Sequence, residues 1–178
     1  IAIFGGGPVG LAAVMGAVIQ GCSTIILVEP MPARREVALE LGATHVIDPS
    51  AGDLTEALRA IVPEGLDFAF DSSGVVSVIE AGFAALGSHG AIGLVGVPKE
   101  PTDGITVNIS ALMTPGLRII GIIEGDSDPQ TFIPELLAHH AAGRFPFDKL
   151  IRTFKLEQIN EAIAAQARGE CIKVVLLP

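Results

Sequence analysis

The stretch Ile1–Gly10, IAIFGGGPVG, joins a short apolar run to a glycine-rich turn and decides the fold prediction. Ile1–Phe4 is apolar throughout, which predicts a buried strand. Pro8–Gln20 carries small and apolar side chains at helical spacing, which predicts a helix. The turn between them contains the pattern G-x-G-x-x-G, formed by Gly5, Gly7 and Gly10. In a chain with 21 glycines this pattern alone is weak, but a strand before it and a helix after it give it meaning.

Each residue of this loop suits the binding of a pyrophosphate. Gly5 permits the tight turn, Gly7 lets phosphates approach the backbone, and Gly10 lets the helix pack closely on the strand. The start of the helix adds free N–H groups and a dipole that favours an anion. Pro8 has no N–H, so Val9 becomes the expected donor. The loop therefore predicts a dinucleotide site, with a strand–helix turn that binds no ligand as the alternative.

Glu29 follows the second predicted strand, about 20 residues beyond the glycine loop, where dinucleotide-binding domains carry an acid. A carboxylate here accepts hydrogen bonds from the adenosine ribose hydroxyls and repels a 2′-phosphate. Two like charges about 4 Å apart repel by roughly 1–4 kcal/mol, so NAD is favoured over NADP. Arg34 and Arg35 lie in the first turns of the next helix, where the dipole disfavours cations. Either they contact the ribose or adenine edge, or they are two solvated arginines; both interpretations stay open.

Short apolar segments alternate with helical ones along the rest of the chain. Predicted strands are Ile1–Phe4, Ser23–Val28, Thr44–Ile47, Leu66–Phe70, Ala91–Val97 and Leu117–Ile123. Predicted helices are Pro8–Gln20, Pro32–Leu41, Asp53–Ile61, Val75–Leu86 and Asn108–Met113. A tail adds a helix at Asp128–Ala142, a strand at Leu150–Phe154, a helix at Leu156–Ala167 and a strand at Cys171–Leu177. Strands apolar on both faces and joined by helices predict a doubly wound parallel α/β sheet, the Rossmann fold.

Two regions follow from this pattern. We expect a dinucleotide-binding domain at residues 1–123 and a C-terminal strand–helix–strand tail at residues 124–178. Ligands of a doubly wound sheet bind at the carboxyl ends of its strands, beside the point where the strand order reverses. The candidate residues at the later strand ends are Ser72, Ser73, Val95, Gly96, Val97, Ile122, Ile123 and Glu124. Their alternative role is that of ordinary turn and core residues.

Composition excludes several classes of function. The chain has 178 residues, 49% of them hydrophobic and 17% charged, which suits one folded domain rather than a disordered chain. Its net charge of −9 opposes a nucleic-acid partner, because phosphate contacts need a basic surface. The sequence contains no uninterrupted apolar run of about 18 residues, so we predict no membrane-spanning helix.

The two cysteines, Cys22 and Cys171, lie far apart in the sequence and fit a reducing compartment, so we expect a cytoplasmic protein. The chain begins without Met inside a predicted strand, which indicates a piece of a longer protein.

Several motifs together resemble the medium-chain, zinc-dependent alcohol dehydrogenase family, and in particular its aryl-alcohol (benzyl alcohol) branch. They are FGGGPVGLAAVMGA, LVEP, LELGATHVID, DFAFDSSG, GLVGVP, IIGIIEGDS and GRFPFDKLIRTF. The resemblance covers nearly the whole chain. It implies an NAD(H)-binding part of an enzyme that oxidises a primary aromatic alcohol to the aldehyde by hydride transfer. Where this chain has Glu29, the family more often has Asp.

The resemblance also implies roles for individual residues. The pyrophosphate loop would be Gly5, Gly7, Pro8, Val9 and Gly10, with Val9 also packing on the nicotinamide. Glu29 would hold the adenosine ribose with Arg34 beside it, and Ser72 and Ser73 would border the adenine. Val95 and Val97 would pack near the nicotinamide ribose and ring, and the backbone of Ile122–Glu124 would bind the carboxamide. Lys173 occupies a position where the family has a base against the pyrophosphate; its alternative is a solvated lysine.

Members of this family hold zinc in an N-terminal catalytic domain and in a four-cysteine lobe, and this chain contains neither motif. Four-coordinate zinc needs a cluster of ligands. His139 and His140 are adjacent and point to different faces of a helix, so they cannot chelate together. His45 precedes a predicted strand and His89 falls in a predicted turn, which favours structural roles. We therefore expect the chain to bind cofactor but to oxidise no alcohol alone. A stand-alone nucleotide-sensing module and a zinc-free quinone-type reductase, which usually prefers NADPH, are the alternatives.

Two features predict self-association. The tail strands Leu150–Phe154 and Cys171–Leu177 would expose apolar surface without a further domain to cover them. Leu117–Ile123 is expected to be the last strand of the sheet, and an unpaired edge invites strand pairing. We therefore predict a homodimer through residues 117–123.

Overall fold

The computed structural model describes all 178 residues and contains two parallel sheets. The six strands of the first sheet are β1 (Ala2–Phe4), β2 (Ile26–Val28), β3 (His45–Ile47), β4 (Leu66–Asp71), β5 (Leu86–Leu94) and β6 (Arg118–Gly121). Their order is β3-β2-β1-β4-β5-β6, and every neighbouring pair is parallel. The strand order reverses between β1 and β4. This order is that of the Rossmann fold, and the prediction of a doubly wound sheet is confirmed.

Seven helices connect the strands and form the tail. They are α1 (Pro8–Ile19), α2 (Pro32–Glu40), α3 (Leu54–Ile61), α4 (Val76–Ala84), α5 (Ile109–Met113), α6 (Pro129–Ala141) and α7 (Ile159–Ala167). Proline at the first helical position starts α1, α2 and α6, because its fixed φ suits a helix and its missing N–H costs nothing there. The carboxylate of Asp53 accepts a hydrogen bond from the Glu56 N–H at 2.9 Å, and Asn108 and Asp128 cap α5 and α6 in the same way.

The sheet separates two apolar cores because alternate side chains of each strand face opposite sides. Phe4 lies in one core with Ile26 and Phe83, on the side of α3 and α4. Ile3 lies in the other with Leu11 and Leu27, on the side of α1 and α2. Covering both faces in this way allows the strands to be almost wholly apolar.

The fifth strand differs most from its prediction. Sequence periodicity predicts a helix to Leu86 followed by a strand at Ala91–Val97, whereas α4 ends at Ala84 and β5 covers Leu86–Leu94. Glycine and polar residues conceal the first half of this strand. His89 adopts a left-handed φ of 60° within it and donates its backbone N–H to the Pro115 carbonyl at 2.8 Å. His89 therefore sits in an irregular strand, not in a turn as expected.

The tail forms a two-stranded parallel sheet of β7 (Ile151–Lys155) and β8 (Lys173–Leu177). Leu150 is buried in the core beside α1 and α2, while Phe154 and Cys171 are buried against α7. The expectation that these segments expose apolar surface is wrong for these three residues, because α1, α2 and α7 cover them. Leu177 of β8 is exposed, as expected, and the other exposed large apolar side chains of the tail lie on α6 and around α7: Phe132, Ile133, Leu137, Leu156, Ile159 and Ile163.

No helix of the chain has the length and apolar character needed to cross a membrane. Strand β6 pairs with β5 on one side only and forms the edge of the large sheet, as predicted. Strand β3 forms the other edge of the sheet, because it pairs with β2 alone.

Candidate dinucleotide-binding site

The glycine loop brings the end of β1 into close contact with the start of α1. Gly5 has a φ of +95°, which a residue with a side chain rarely adopts. A Cβ on Gly10 would overlap the carbonyl oxygen of Gly5, so only glycine allows this approach of helix and turn. A Cβ on Gly7, in contrast, would meet nothing within 4 Å, so this position faces open space. The loop therefore has a closed side against the protein and an open side toward solvent.

The start of α1 offers hydrogen-bond donors on that open side. Pro8 is its first residue, Gly7 precedes it, and no side chain caps the helix. The N–H groups of the first turn of a helix have no partner within the helix. Val9, which follows Pro8, is half exposed. This end of α1 can accept an anion without displacing a protein ligand.

Glu29 directly follows β2, lies beside the loop and is only 4% exposed. Its Oε2 accepts the Gly6 N–H at 2.6 Å, and its Oε1 accepts the Met31 N–H at 3.0 Å. A carboxylate oxygen can accept two hydrogen bonds, so each oxygen keeps capacity for a further donor. The two backbone donors hold the carboxylate in one orientation before any ligand arrives.

The carboxylate lies on a groove of about 530 Å³ at the carboxyl ends of β1, β2 and β4. The predicted site residues that line it are Gly5, Gly7, Glu29, Arg34, Ser72 and Ser73. The structure thus brings together the residues predicted to contact the adenosine half of the ligand, and their roles remain predictions.

The two arginines after Glu29 differ in what they contact. Arg35 donates to the backbone carbonyl of Glu29 at 2.7 Å and pairs with Asp48 at 3.1 Å, so it secures the end of β2. Arg35 is therefore held by protein contacts and is not a freely solvated arginine. The Ser50 hydroxyl, which donates to Asp48, holds the pKa of that carboxyl below its usual value, and the charge of Arg35 adds to this.

Arg34 is the arginine that faces the groove. Its Nη1 lies 3.9 Å from Glu29 Oε2, and its Nε is buried with no hydrogen-bond partner. An unpaired buried donor is costly unless a ligand or water satisfies it. Arg34 is therefore the basic side chain best placed to respond to a ligand in this groove.

The remaining predicted residues lie outside the groove. Val97 follows β5 and is 86% exposed, and Ile123 follows β6 and is 76% exposed. Glu124 has a left-handed φ of 48°, in a 3₁₀ turn after β6. Val95, Gly96 and Ile122 lie beside them at the same end of the sheet. Lys173 begins β8, is exposed and forms no ion pair.

Asp71 belongs to a predicted strand end but has no individual role predicted for it, and the structure shows it to be fully buried at the end of β4. Its Oδ1 accepts the Ser73 N–H at 3.1 Å and the Ser73 hydroxyl at 2.6 Å. Its Oδ2 accepts the Gly74 N–H at 3.0 Å. An acid followed by Ser-Ser-Gly after an apolar strand is typical of such a side-chain-to-backbone turn, so a signal was present in the sequence.

The chain itself offers no zinc site. No group of three or more His, Cys, Asp or Glu side chains is close enough together to hold a metal ion. His139 lies 3.9 Å from Glu135, whereas the Nδ1–H of His140 donates to the Phe145 carbonyl oxygen at 3.0 Å and lies 3.6 Å from Asp148. The two histidines therefore serve separate local contacts.

The strand order, the glycine loop after β1 and the acid after β2 define a Rossmann domain of the dinucleotide-binding type. A family model described as zinc-binding dehydrogenase matches residues 8–139. The chain belongs to the zinc-binding dehydrogenase family, as the sequence motifs predict.

Individual relatives agree with this assignment. The chain is 44% identical to geraniol dehydrogenase of Castellaniella defragrans over 99% of its own length and 48% of that protein. It superposes on the crystal structure of benzyl alcohol dehydrogenase from Acinetobacter calcoaceticus with a TM-score of 0.94 and 35% identity, covering 98% of this chain and 48% of that one. A zinc-binding dehydrogenase from Sinorhizobium meliloti 1021 bound to NADP gives a TM-score of 0.88 at 28% identity, covering 99% and 52%. The chain thus spans about half the length of these relatives.

Proposed function

We propose that this chain is the NAD(H)-binding part of a zinc-dependent alcohol dehydrogenase. The observation that carries the proposal is the buried Glu29 carboxylate, oriented by Gly6 and Met31 beside an open glycine loop. A buried carboxylate with free acceptor capacity is suited to a ribose diol, and the uncapped start of α1 is suited to a pyrophosphate. When it is bound, the nicotinamide cofactor supplies the acceptor for a hydride.

The chain's own residues bind and orient. Glu29 fixes the adenosine ribose, the open position of Gly7 admits the phosphates, and the first turn of α1 donates N–H groups to them. Val9 and the loop after β5 cover the nicotinamide side, and Lys173 adds a positive charge near the pyrophosphate. These roles are proposed because the same positions have them in the zinc-dependent alcohol dehydrogenase family.

We propose a preference for NAD over NADP. A phosphate on the ribose would meet the Glu29 carboxylate, which costs roughly 1–4 kcal/mol at a separation of about 4 Å. Arg34 opposes this preference, because its guanidinium lies 3.9 Å from the same carboxylate and could pair with a phosphate. A structurally similar relative, the zinc-binding dehydrogenase from Sinorhizobium meliloti 1021, binds NADP. The proposed ribose site therefore has one acid, Glu29, and one base, Arg34. The side chain of Glu29 is the more buried of the two, which favours NAD.

The whole protein is proposed to oxidise a primary alcohol of the aromatic type to its aldehyde. The similarity to a benzyl alcohol dehydrogenase and a geraniol dehydrogenase supports an alcohol whose carbinol is next to an unsaturated group.

Zinc would be held by a catalytic domain outside these 178 residues. The exposed apolar faces of α6 and α7 are the surfaces proposed to pack on that domain. The isolated chain is then inactive with alcohols. Its two unpaired cysteines support a cytoplasmic location.

Titration of the purified chain with NADH tests the proposed cofactor role. We expect saturable enhancement of NADH fluorescence, competition by AMP, and a Kd for NADPH about tenfold higher, equal to about 1.4 kcal/mol. Titration with NMNH, which lacks the adenosine half, serves as the control and should show little binding. No saturable binding of NADH would refute the cofactor role, and tighter binding of NADPH would refute the preference for NAD.

The open edge of β6 is proposed to pair with a second copy of the chain. Ile120 is 42% exposed on this edge, and the backbone groups of β6 have no partner strand there. We expect a dimer by light scattering and a monomer for Ile120→Lys, because a charged edge residue opposes strand pairing. Leu39→Lys is the matched control, since Leu39 is 47% exposed on α2 at the other end of the sheet. A monomer for the unsubstituted chain, or loss of the dimer in both variants, would contradict pairing through β6.

A further inference from the structure

A second buried carboxylate lies below the groove and takes no part in the contacts described for the ligand. Asp71 is 0% exposed and forms no ion pair with a base. Three donors hold its charge instead: the N–H and hydroxyl of Ser73 and the N–H of Gly74. A buried carboxylate without a cation persists only when such hydrogen bonds compensate for its lost hydration. Its negative charge therefore fixes the conformation of the first turn after β4.

The turn that Asp71 fixes forms one wall of the candidate adenosine groove. Ser73 lies between Asp71 and the groove, which it lines together with Ser72 and Val75. Ser72 in turn donates its hydroxyl to the Phe4 carbonyl at 2.9 Å, which ties the same turn to the end of β1. The position of this wall relative to the glycine loop thus depends on Asp71.

Asp71 also fixes the loop after β5. Its backbone carbonyl accepts the N–H groups of Val95 and Gly96 at 2.9 and 3.0 Å. A Cβ on Gly96 would lie 2.5 Å from Asp71 Oδ2 and would overlap the N–H of Gly74. A Cβ on Gly74 would overlap the carbonyl of Val97. The loops after β4 and β5 therefore pack backbone against backbone around one carboxylate.

We propose that Asp71 is a positioning residue for the dinucleotide, acting through Ser73, Gly74 and Gly96 without touching the ligand. This inference rests on the proposed cofactor-binding function. The Asp71 carboxylate holds the wall of the adenosine groove in place through its own hydrogen bonds. Gly96 allows the loop after β5, on the nicotinamide side, to pack against that carboxylate. The two loops present one continuous surface to a ligand that spans both.

The test is Asp71→Asn in the 178-residue chain. The amide has the same shape, but its NH₂ faces a backbone or hydroxyl donor, so at least one of the three hydrogen bonds is lost. We expect the Kd values of both NADH and AMP to rise by about tenfold, the order expected for one hydrogen bond to a charged group. Equal losses for the two ligands are expected because the carboxylate acts on the adenosine side. Binding is measured at a temperature where circular dichroism shows every variant fully folded.

Two further variants separate positioning from general stability. Ile25→Val and Ile25→Ala remove buried volume at the opposite, amino end of β2 and should lower Tm without changing either Kd. Gly96→Ala keeps Asp71 but pushes the β5 loop away from it, so the Kd of NADH should rise more than that of AMP. Gly96→Ala also provides the test if Asp71→Asn does not fold.

The outcomes distinguish this inference from the function on which it rests. Failure of the unsubstituted chain to bind NADH overturns both. Binding of NADH by the unsubstituted chain, together with unchanged Kd values in a folded Asp71→Asn or Gly96→Ala variant, overturns the role of Asp71 alone. If the Ile25 variants lose NADH and AMP affinity as Asp71→Asn does, the loss follows from lower stability, and the positioning role of Asp71 is overturned.

Discussion

Gly10→Ala is expected to lower the free energy of unfolding by about 3 kcal/mol, at the upper end of the usual cost of overpacking, and to abolish NADH binding. The added methyl would overlap the carbonyl oxygen of Gly5 and lie 2.9 Å from its carbonyl carbon. Both are backbone atoms of the loop and cannot rotate away as the end of a side chain could. The helix and the glycine loop must therefore separate, which displaces the proposed phosphate donors. Urea unfolding and an NADH titration measure the two effects.

Gly16→Ala on the same helix is the matched control. A Cβ at this position would meet nothing within 4 Å. Because alanine favours a helix over glycine, this variant should gain up to about 1 kcal/mol of stability and keep its NADH affinity. Similar losses of stability in both variants would contradict the close approach of α1 to the loop.

Glu29→Gln is expected to weaken NADH binding by about 10- to 100-fold, because a charge-assisted hydrogen bond contributes about 1.5–3 kcal/mol. The amide also turns a donor toward the N–H of Gly6 or Met31, which now donate to the carboxylate at 2.6 and 3.0 Å. We therefore expect the free energy of unfolding to fall by about 1–3 kcal/mol as well. Fluorescence titration and urea unfolding measure the two losses separately.

The same variant tests the choice between cofactors. Removing the negative charge should weaken NADPH binding less than NADH binding, since the 2′-phosphate no longer meets a carboxylate and can pair with Arg34. Glu36→Gln is the control: Glu36 is exposed on α2 and makes no hydrogen bond or ion pair through its side chain. A Glu29→Gln variant that binds NADH as tightly as the unsubstituted chain would contradict the assignment of Glu29 to the ribose.

The sequence predicts the fold well because strong apolar runs and glycine turns determine it locally. The six strands of the main sheet, their order and the edge position of β6 follow from that pattern. The start of β5 does not, because Gly87, Ser88 and His89 carry no strand signal. The parallel register with β4 and the His89–Pro115 hydrogen bond hold this segment in place, and both are long-range contacts.

Side-chain partners were less predictable than elements. Arg34 and Arg35 are neighbours on one helix, yet one faces the groove and the other secures the end of β2. The three-dimensional position of Asp48, which directly follows β3 and pairs with Arg35, distinguishes the two arginines. The burial of Leu150 likewise depends on how the tail packs on α1 and α2, which no local pattern reports.

A crystal structure of the chain with NADH tests the central claim most directly. We predict that Glu29 lies within hydrogen-bond distance of both adenosine ribose hydroxyls and that the diphosphate rests on the first turn of α1. Density for the adenosine at another place on the protein, or a Glu29 carboxylate that makes no contact with the sugar, would contradict it.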